Sequence, residues 1–191
     1  MHVCVYGASS RELAPRYMEA GEALGKELAR RGHTLVFGGG TTGLMGAVAR
    51  GVTAENGRML GIAPRFFNVD GILYEACDEW LYTDTMRERK CLMEQRSDAC
   101  VMTPGGVGTF DEFFEILTNA QLQLHHKPLA ILNTDGYFDL LLQFLQTGVE
   151  ERFMNQATLD LFAVFADPAD LVSYLETAVP TASSLEENKP I

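Results

Sequence analysis

Few folds accommodate a chain in which short, unbroken apolar runs alternate with longer segments of helical spacing. The runs HVCVYG (2–7), TLVFG (34–38), RMLGIA (58–63), EWLYT (79–83), DACVMT (98–103), PLAILN (128–133) and LFAVFA (161–166) have the length of strands. Between them, helices are expected over about 17–31, from about 43, and over about 84–96, 110–123, 137–150 and 169–178. A run that is apolar throughout suits a parallel strand, which is buried on both faces. The alternation therefore predicts an α/β protein: a doubly wound, mostly parallel sheet with helices on both faces. One domain is expected over residues 1–179, followed by a loose polar tail, 180–191, rich in Pro, Ser and Glu.

Composition narrows the partners. The net charge is −11, and no basic stripe with interleaved aromatics is present, so a nucleic-acid polymer or an anionic membrane is not an expected partner. A small anion remains compatible, because a local pocket can oppose the overall field. No apolar run approaches the roughly 18 residues needed to span a bilayer, and MHVCVYGASS lacks the zones of a signal peptide. A soluble, cytoplasmic protein is expected. Cys4, Cys77, Cys91 and Cys100 show no C-x-x-C spacing, and Cys4 and Cys100 sit inside apolar runs, as buried free thiols do. His2, His33, His125 and His126 form no metal pattern, and His125 and His126 read as part of a solvated turn. Neither a metal nor a cofactor is expected.

In an open parallel sheet, ligands sit beyond the carboxyl ends of the strands. The loops there are GASS (7–10), GGGTTG (38–43) and TPGGVGT (103–109). All are rich in Gly, Ser or Thr, and two lead directly into a helix, whose first turn offers unpaired N–H groups and a partial positive charge. Ser9, Gly39, Gly40, Thr41, Gly105, Gly106, Gly108 and Thr109 are candidate contacts for a phosphate. Neither glycine loop is a standard nucleotide motif. TPGGVGT lacks the Lys of a P-loop, and the G-x-G-x-x-G spacing of Gly38, Gly40 and Gly43 follows the second apolar run rather than the first. Taken alone, either loop is equally a tight strand-to-helix turn.

The segment TDTMRERKCLMEQRSDA concentrates Arg87, Arg89 and Lys90 within four positions of a chain with 15 Lys and Arg. Successive helical residues turn by about 100°, so Arg89 and Lys90 cannot share a face with Arg87. The pattern alone also suits a solvated face, with Glu88 and Glu94 in mixed pairing.

Taken in order, Met86, Arg89 and Lys90 (M-x-x-R-K), SDA (97–99) and PGGVGTFDE (104–112) resemble the "lonely guy" family, long catalogued as possible lysine decarboxylases. GGGTTGLMG, AQLQLHHKP and NTDGYFDLLLQF extend the resemblance over about residues 2–178. It implies a Rossmann-like homodimer that hydrolyses a nucleoside 5′-monophosphate, AMP or an N6-prenylated AMP, to the free base and ribose 5-phosphate. The family's catalytic Arg and Glu fall on Arg89 and Glu112, and its phosphate loop on Gly105, Gly106, Gly108 and Thr109. Three positions depart from the pattern: Ala8 replaces a glycine, Val107 stands where an aromatic is common, and Asn119 where Trp is frequent. The last two bear on the walls of the base pocket, and so on the N6-prenyl preference rather than on the reaction.

Cleaving an N-glycosidic bond leaves positive charge on the ribose. A carboxylate near C1′ can stabilise that charge and orient or deprotonate the attacking water. Glu112 lies three residues past Thr109, within one turn of the phosphate loop. Asp111 points about 100° away, as a capping or solvated residue. Glu115 shares a face with Glu112 and either binds ribose hydroxyls or sits at the helix surface. Arg89 can steady the carboxylate, hold phosphate or ribose, or assist the departing base. Lys90 is a second phosphate contact or pairs with a neighbouring helix, and Met86 completes the candidate contacts.

Three other classes compete. A pyridoxal-phosphate decarboxylase needs a Schiff-base lysine, and the chain offers only Lys26, Lys90, Lys127 and Lys189. A dinucleotide oxidoreductase is disfavoured by the misplaced G-x-G-x-x-G. A non-enzymatic nucleotide sensor or scaffold would use the same loops and differ only in releasing no base.

Overall fold

A computed structural model describes residues 1–68 and 71–178; the expected polar tail lies outside the described residues. Seven strands, β1 (His2–Tyr6), β2 (Thr34–Phe37), β3 (Arg58–Pro64), β4 (Glu79–Thr83), β5 (Ala99–Met102), β6 (Leu129–Leu132) and β7 (Phe162–Phe165), form one sheet. Their order is β4-β3-β2-β1-β5-β6-β7, and every neighbouring pair is parallel. The chain steps outward from β1 to β4, then returns to place β5 on the other side of β1. The gap between the ends of β1 and β5 is thus the topological switch point, where such sheets open a crevice.

The helices are α1 (Pro15–Arg30), α2 (Gly43–Ala54), α3 (Met86–Gln95), α4 (Val107–Gln121), α5 (Asp139–Glu150), α6 (Gln156–Leu159) and α7 (Pro168–Thr177). Alternate residues of each strand point to opposite faces, and each face has its own core. On one, Val3, Val5, Leu35 and Phe37 pack with Leu24 and Leu28 of α1, Val48 and Val52 of α2, and Leu171 and Leu175 of α7. On the other, Cys4, Tyr6, Val36 and Cys100 pack with Met93 of α3, Phe113 and Ile116 of α4, and Leu145 of α5. The doubly wound α/β expectation holds. All four cysteines are free; Cys4 and Cys100 are fully buried, Cys77 is half-buried and Cys91 is exposed. No helix among the described residues is long and apolar enough to cross a membrane.

The strands fall where the apolar runs put them, and the helix ends move for local reasons. Helix α1 starts two positions early because Pro15 occupies its first turn, where a missing N–H costs nothing. Helix α3 starts at Met86 rather than 84 because Thr85 and Glu88 form a capping box. The Glu88 carboxylate accepts from the Asp84 and Thr85 amides, so it caps the helix and is not part of a mixed-charge face. Glu94 likewise accepts from Asn119 at 2.9 Å. Helix α4 starts three positions early, with Gly106 as its N-cap, so Gly108 and Thr109 form its first turn. A 3-10 turn, Thr134–Gly136, with Asp135 at φ 54° delays α5 to Asp139. The four-residue α6 had no counterpart among the expected helices.

His125 corrects the solvated-turn expectation. It is buried; its Nε2 donates to the Ile116 carbonyl at 2.9 Å, while Nδ1 accepts from the Lys127 amide at 3.2 Å. Desolvation pushes its pKa below the usual histidine range, in keeping with this neutral tautomer.

Candidate active site

Three loops meet at the switch point because their backbones are tied together. The Ala8 amide donates to the Pro104 carbonyl at 3.1 Å, joining the loop after β1 to the loop after β5. The Ala8 carbonyl accepts from the Leu44 amide at 2.8 Å, and the Thr42 hydroxyl donates to the Ser9 carbonyl at 2.8 Å. Gly43 makes this closeness feasible: it sits at φ +62°, and a Cβ there would lie 2.4 Å from the Ala8 oxygen. A fourth segment closes the rim, with the Thr41 amide donating to Ile72 and the Thr41 hydroxyl to Gly71, both at 3.2 Å.

These loops enclose a cavity of about 660 Å³. Among the described residues its charged lining comprises Arg11, Arg89, Asp111 and Glu112; Met45, Phe67, Ile72 and Met86 supply apolar wall. The first turn of α4 contributes Gly106, Val107, Gly108 and Thr109, which directs the positive end of a 15-residue helix into the cavity.

At its base, Arg89 of α3 meets Glu112 of α4. Nη1 of Arg89 lies 2.8 Å from Oε1 of Glu112, with the two side chains only 7% and 11% exposed. Nε of Arg89 donates to the Ile62 carbonyl at 3.2 Å, fixing the guanidinium above the end of β3. Gly38 gives it room: a Cβ there would sit 2.0 Å from Nη2. Burial pushes the Glu112 carboxyl above the ordinary glutamate range, and the charge and hydrogen bond of Arg89 oppose that rise without cancelling it. The result is a largely buried carboxylate held by a buried cation beside a helix N-terminus. Such a group can accept a proton from water and face developing positive charge.

Of the candidate contacts, Ser9, Gly40, Thr41, Met86, Gly106, Gly108 and Thr109 line the cavity together with Arg89 and Glu112. Four others do not. Gly39 backs onto Trp80 and Leu73. Gly105 lies under Thr109, and its carbonyl accepts from the Tyr137 hydroxyl at 2.8 Å. The Lys90 ammonium turns to α4, where it pairs with Asp111 at 3.1 Å and with Glu115. Of its two expected roles, this is the helix–helix pairing, and it occupies Glu115 as well. Asn119, expected in a base-pocket wall, instead holds Glu94 away from the cavity, whereas Val107 does line it. Sequence reasoning missed Gly38, Arg11, Met45, Phe67 and Ile72. A cation directly after GASS, in a chain with few cations, was the available signal for Arg11. Among the described residues, no group of three or more His, Cys, Asp or Glu converges on a metal site.

Fold and site together define a parallel α/β protein with a nucleotide-sized cavity at its switch point and a buried guanidinium–carboxylate pair in that cavity. A family model described as "Possible lysine decarboxylase" matches residues 45–175. The chain is 41% identical over 178 residues to a rice protein (Oryza sativa subsp. japonica) named "Probable cytokinin riboside 5'-monophosphate phosphoribohydrolase", covering 93% of this chain and 78% of that one. It is 37% identical to an Arabidopsis thaliana cytokinin riboside 5′-monophosphate phosphoribohydrolase, covering 93% and 82%. The chain belongs to this family, the lonely guy family. Among solved structures, the molybdenum cofactor carrier protein of Chlamydomonas reinhardtii shares the fold, with a TM-score of 0.69 at 22% identity over 92% of this chain and 95% of that one. The molybdenum cofactor binding protein of Rippkaea orientalis does so with the same score and identity, over 92% and 94%.

Proposed function

We propose that this chain hydrolyses the N-glycosidic bond of a nucleoside 5′-monophosphate, AMP or an N6-modified AMP, releasing the free base and ribose 5-phosphate. The observation that carries the reading is the buried Arg89–Glu112 pair in a cavity that also receives the first turn of α4. The names of the curated relatives support the reaction.

In this reading the amides of Gly106, Gly108 and Thr109 receive the 5′-phosphate at the helix N-terminus. Glu112, one turn further on, then lies alongside the ribose. Its raised proton affinity suits it to take a proton from the attacking water, and its charge stabilises the cationic ribose as the bond to the base lengthens. Arg89 keeps the carboxylate ionised and oriented. The base extends toward Met45, Phe67, Ile72 and Met86, an apolar wall that accepts a purine face. The cavity has room for a nucleotide of this size.

The reading includes a homodimer working in the cytoplasm, with no nucleic-acid polymer or membrane as partner. The exposed Leu140 and Phe144 of α5, 81% and 72% accessible, support a protein contact there. The net charge of −11 argues against a polyanion. Incubation with AMP, N6-prenylated AMP and adenosine, followed by chromatography, tests the substrate class. Free base is expected from the nucleotides and little from adenosine; no base from either nucleotide overturns the proposal and leaves a nucleotide sensor as the better account.

A further inference from the structure

Resting on that reading, we propose that Arg11 is the counter-ion for the substrate's 5′-phosphate and gives the cavity its preference for a nucleotide over a nucleoside. Among the described residues, the charged lining of the cavity is Arg11, Arg89, Asp111 and Glu112, which carry no net charge together before a phosphate arrives. Three of the four are engaged. Arg89 is held by Glu112 and the Ile62 carbonyl, and Asp111 by Lys90, which does not line the cavity. Arg11 is exposed and makes no ion pair or hydrogen bond with any described residue. Of the arginines without a carboxylate partner among the described residues, Arg11, Arg58, Arg87, Arg96 and Arg152, Arg11 alone lines this cavity.

A phosphate monoester approaching two carboxylates on a chain of net charge −11 needs more than the partial charge of a helix end, which amounts to about half a unit. Arg11 supplies a full charge and a planar fork of donors that matches phosphate oxygens. Its loop is already tied to the loop that starts α4, through the Ala8 amide and the Pro104 carbonyl. Arg11 and the first turn of α4, Gly106 to Thr109, line the same cavity. An adenosine would leave Arg11 in solvent and gain nothing from it.

The test is calorimetric binding of ribose 5-phosphate, which the protein does not hydrolyse, to the native protein and to Arg11→Met and Arg11→Lys. It is run beside AMP kinetics on the same three proteins. Arg11→Met should bind ribose 5-phosphate about ten- to a hundredfold more weakly, the range for losing a charged hydrogen bond. Its KM for AMP should rise in step with little change in kcat, and its binding should depend less on salt. Arg11→Lys should fall between the two. Equal affinity for ribose 5-phosphate in the native and Arg11→Met proteins overturns the assignment, whether or not adenine is released. Adenine release with unchanged affinity would discard Arg11 and keep the hydrolase. Weakened affinity in Arg11→Met, with no adenine released by the native protein, would keep the phosphate anchor and discard the hydrolase. A native protein that neither binds ribose 5-phosphate nor releases adenine overturns both.

Discussion

Replacing Gly38 with alanine is expected to disable the site while leaving the fold intact. The new Cβ would lie 2.0 Å from Nη2 of Arg89 and 3.0 Å from its Cζ. Non-bonded heavy atoms settle at about 3.5 Å or more, so the guanidinium has to retreat by over 1 Å. It cannot do so and keep both its 2.8 Å contact with Glu112 and its 3.2 Å bond to Ile62. A displacement of that size at a reacting centre costs about a hundredfold in rate. The backbone does not object, because Gly38 is not among the glycines with positive φ. The stability cost is therefore that of local overpacking, about 1–3 kcal/mol. Steady-state adenine release from AMP, read beside thermal unfolding, separates the two effects. A folded Gly38→Ala protein should lose about two orders of magnitude in kcat. A variant within about threefold of the native rate would show that the position of Arg89 does not matter, well outside that expectation.

The acid limb of kcat/KM should lie above the ordinary glutamate range, because burial raises the proton affinity of Glu112. The working form is the carboxylate, so activity falls as pH drops through that raised value; a limb at or below the ordinary glutamate pKa would contradict the assignment. Lys90→Met removes an ammonium that does not line the cavity and breaks its exposed-side pairing with Asp111 and Glu115, so KM for AMP should change by no more than about threefold and stability by about 1 kcal/mol or less. A rise in KM of tenfold or more, with AMP titrated to saturation, would return Lys90 to the phosphate.

The sheet was legible because parallel strands buried on both faces read as unbroken apolar runs; β1 to β7 fall within them except that β3 runs one residue on, to Pro64. Helix starts were less so, since they are set by caps rather than by periodicity: Thr85 with Glu88, Pro15, and Gly106 each moved a boundary. The meeting of Arg89 with Glu112 lay beyond any local pattern, because α3 and α4 come together only through the sheet, and it was the family resemblance that paired them. The same limit explains Lys90 and Glu115. Spacing placed them near the right residues, but the partner each would choose depended on how two helices face one another. Asn119 was misplaced because a position in a motif does not reveal which side of a helix faces the cavity. Arg11 was passed over because a single arginine in a loop has no periodic signature.

The proposed role of Glu112 in glycosidic cleavage is tested most directly by the time course of adenine and ribose 5-phosphate from AMP, with native protein beside Glu112→Gln. Equimolar products from the native protein, and a kcat lower by about 10²–10⁴-fold in a Glu112→Gln variant that still binds AMP, are the predicted result. Equal rates from the two proteins, or no adenine from the native one at saturating AMP, would contradict it.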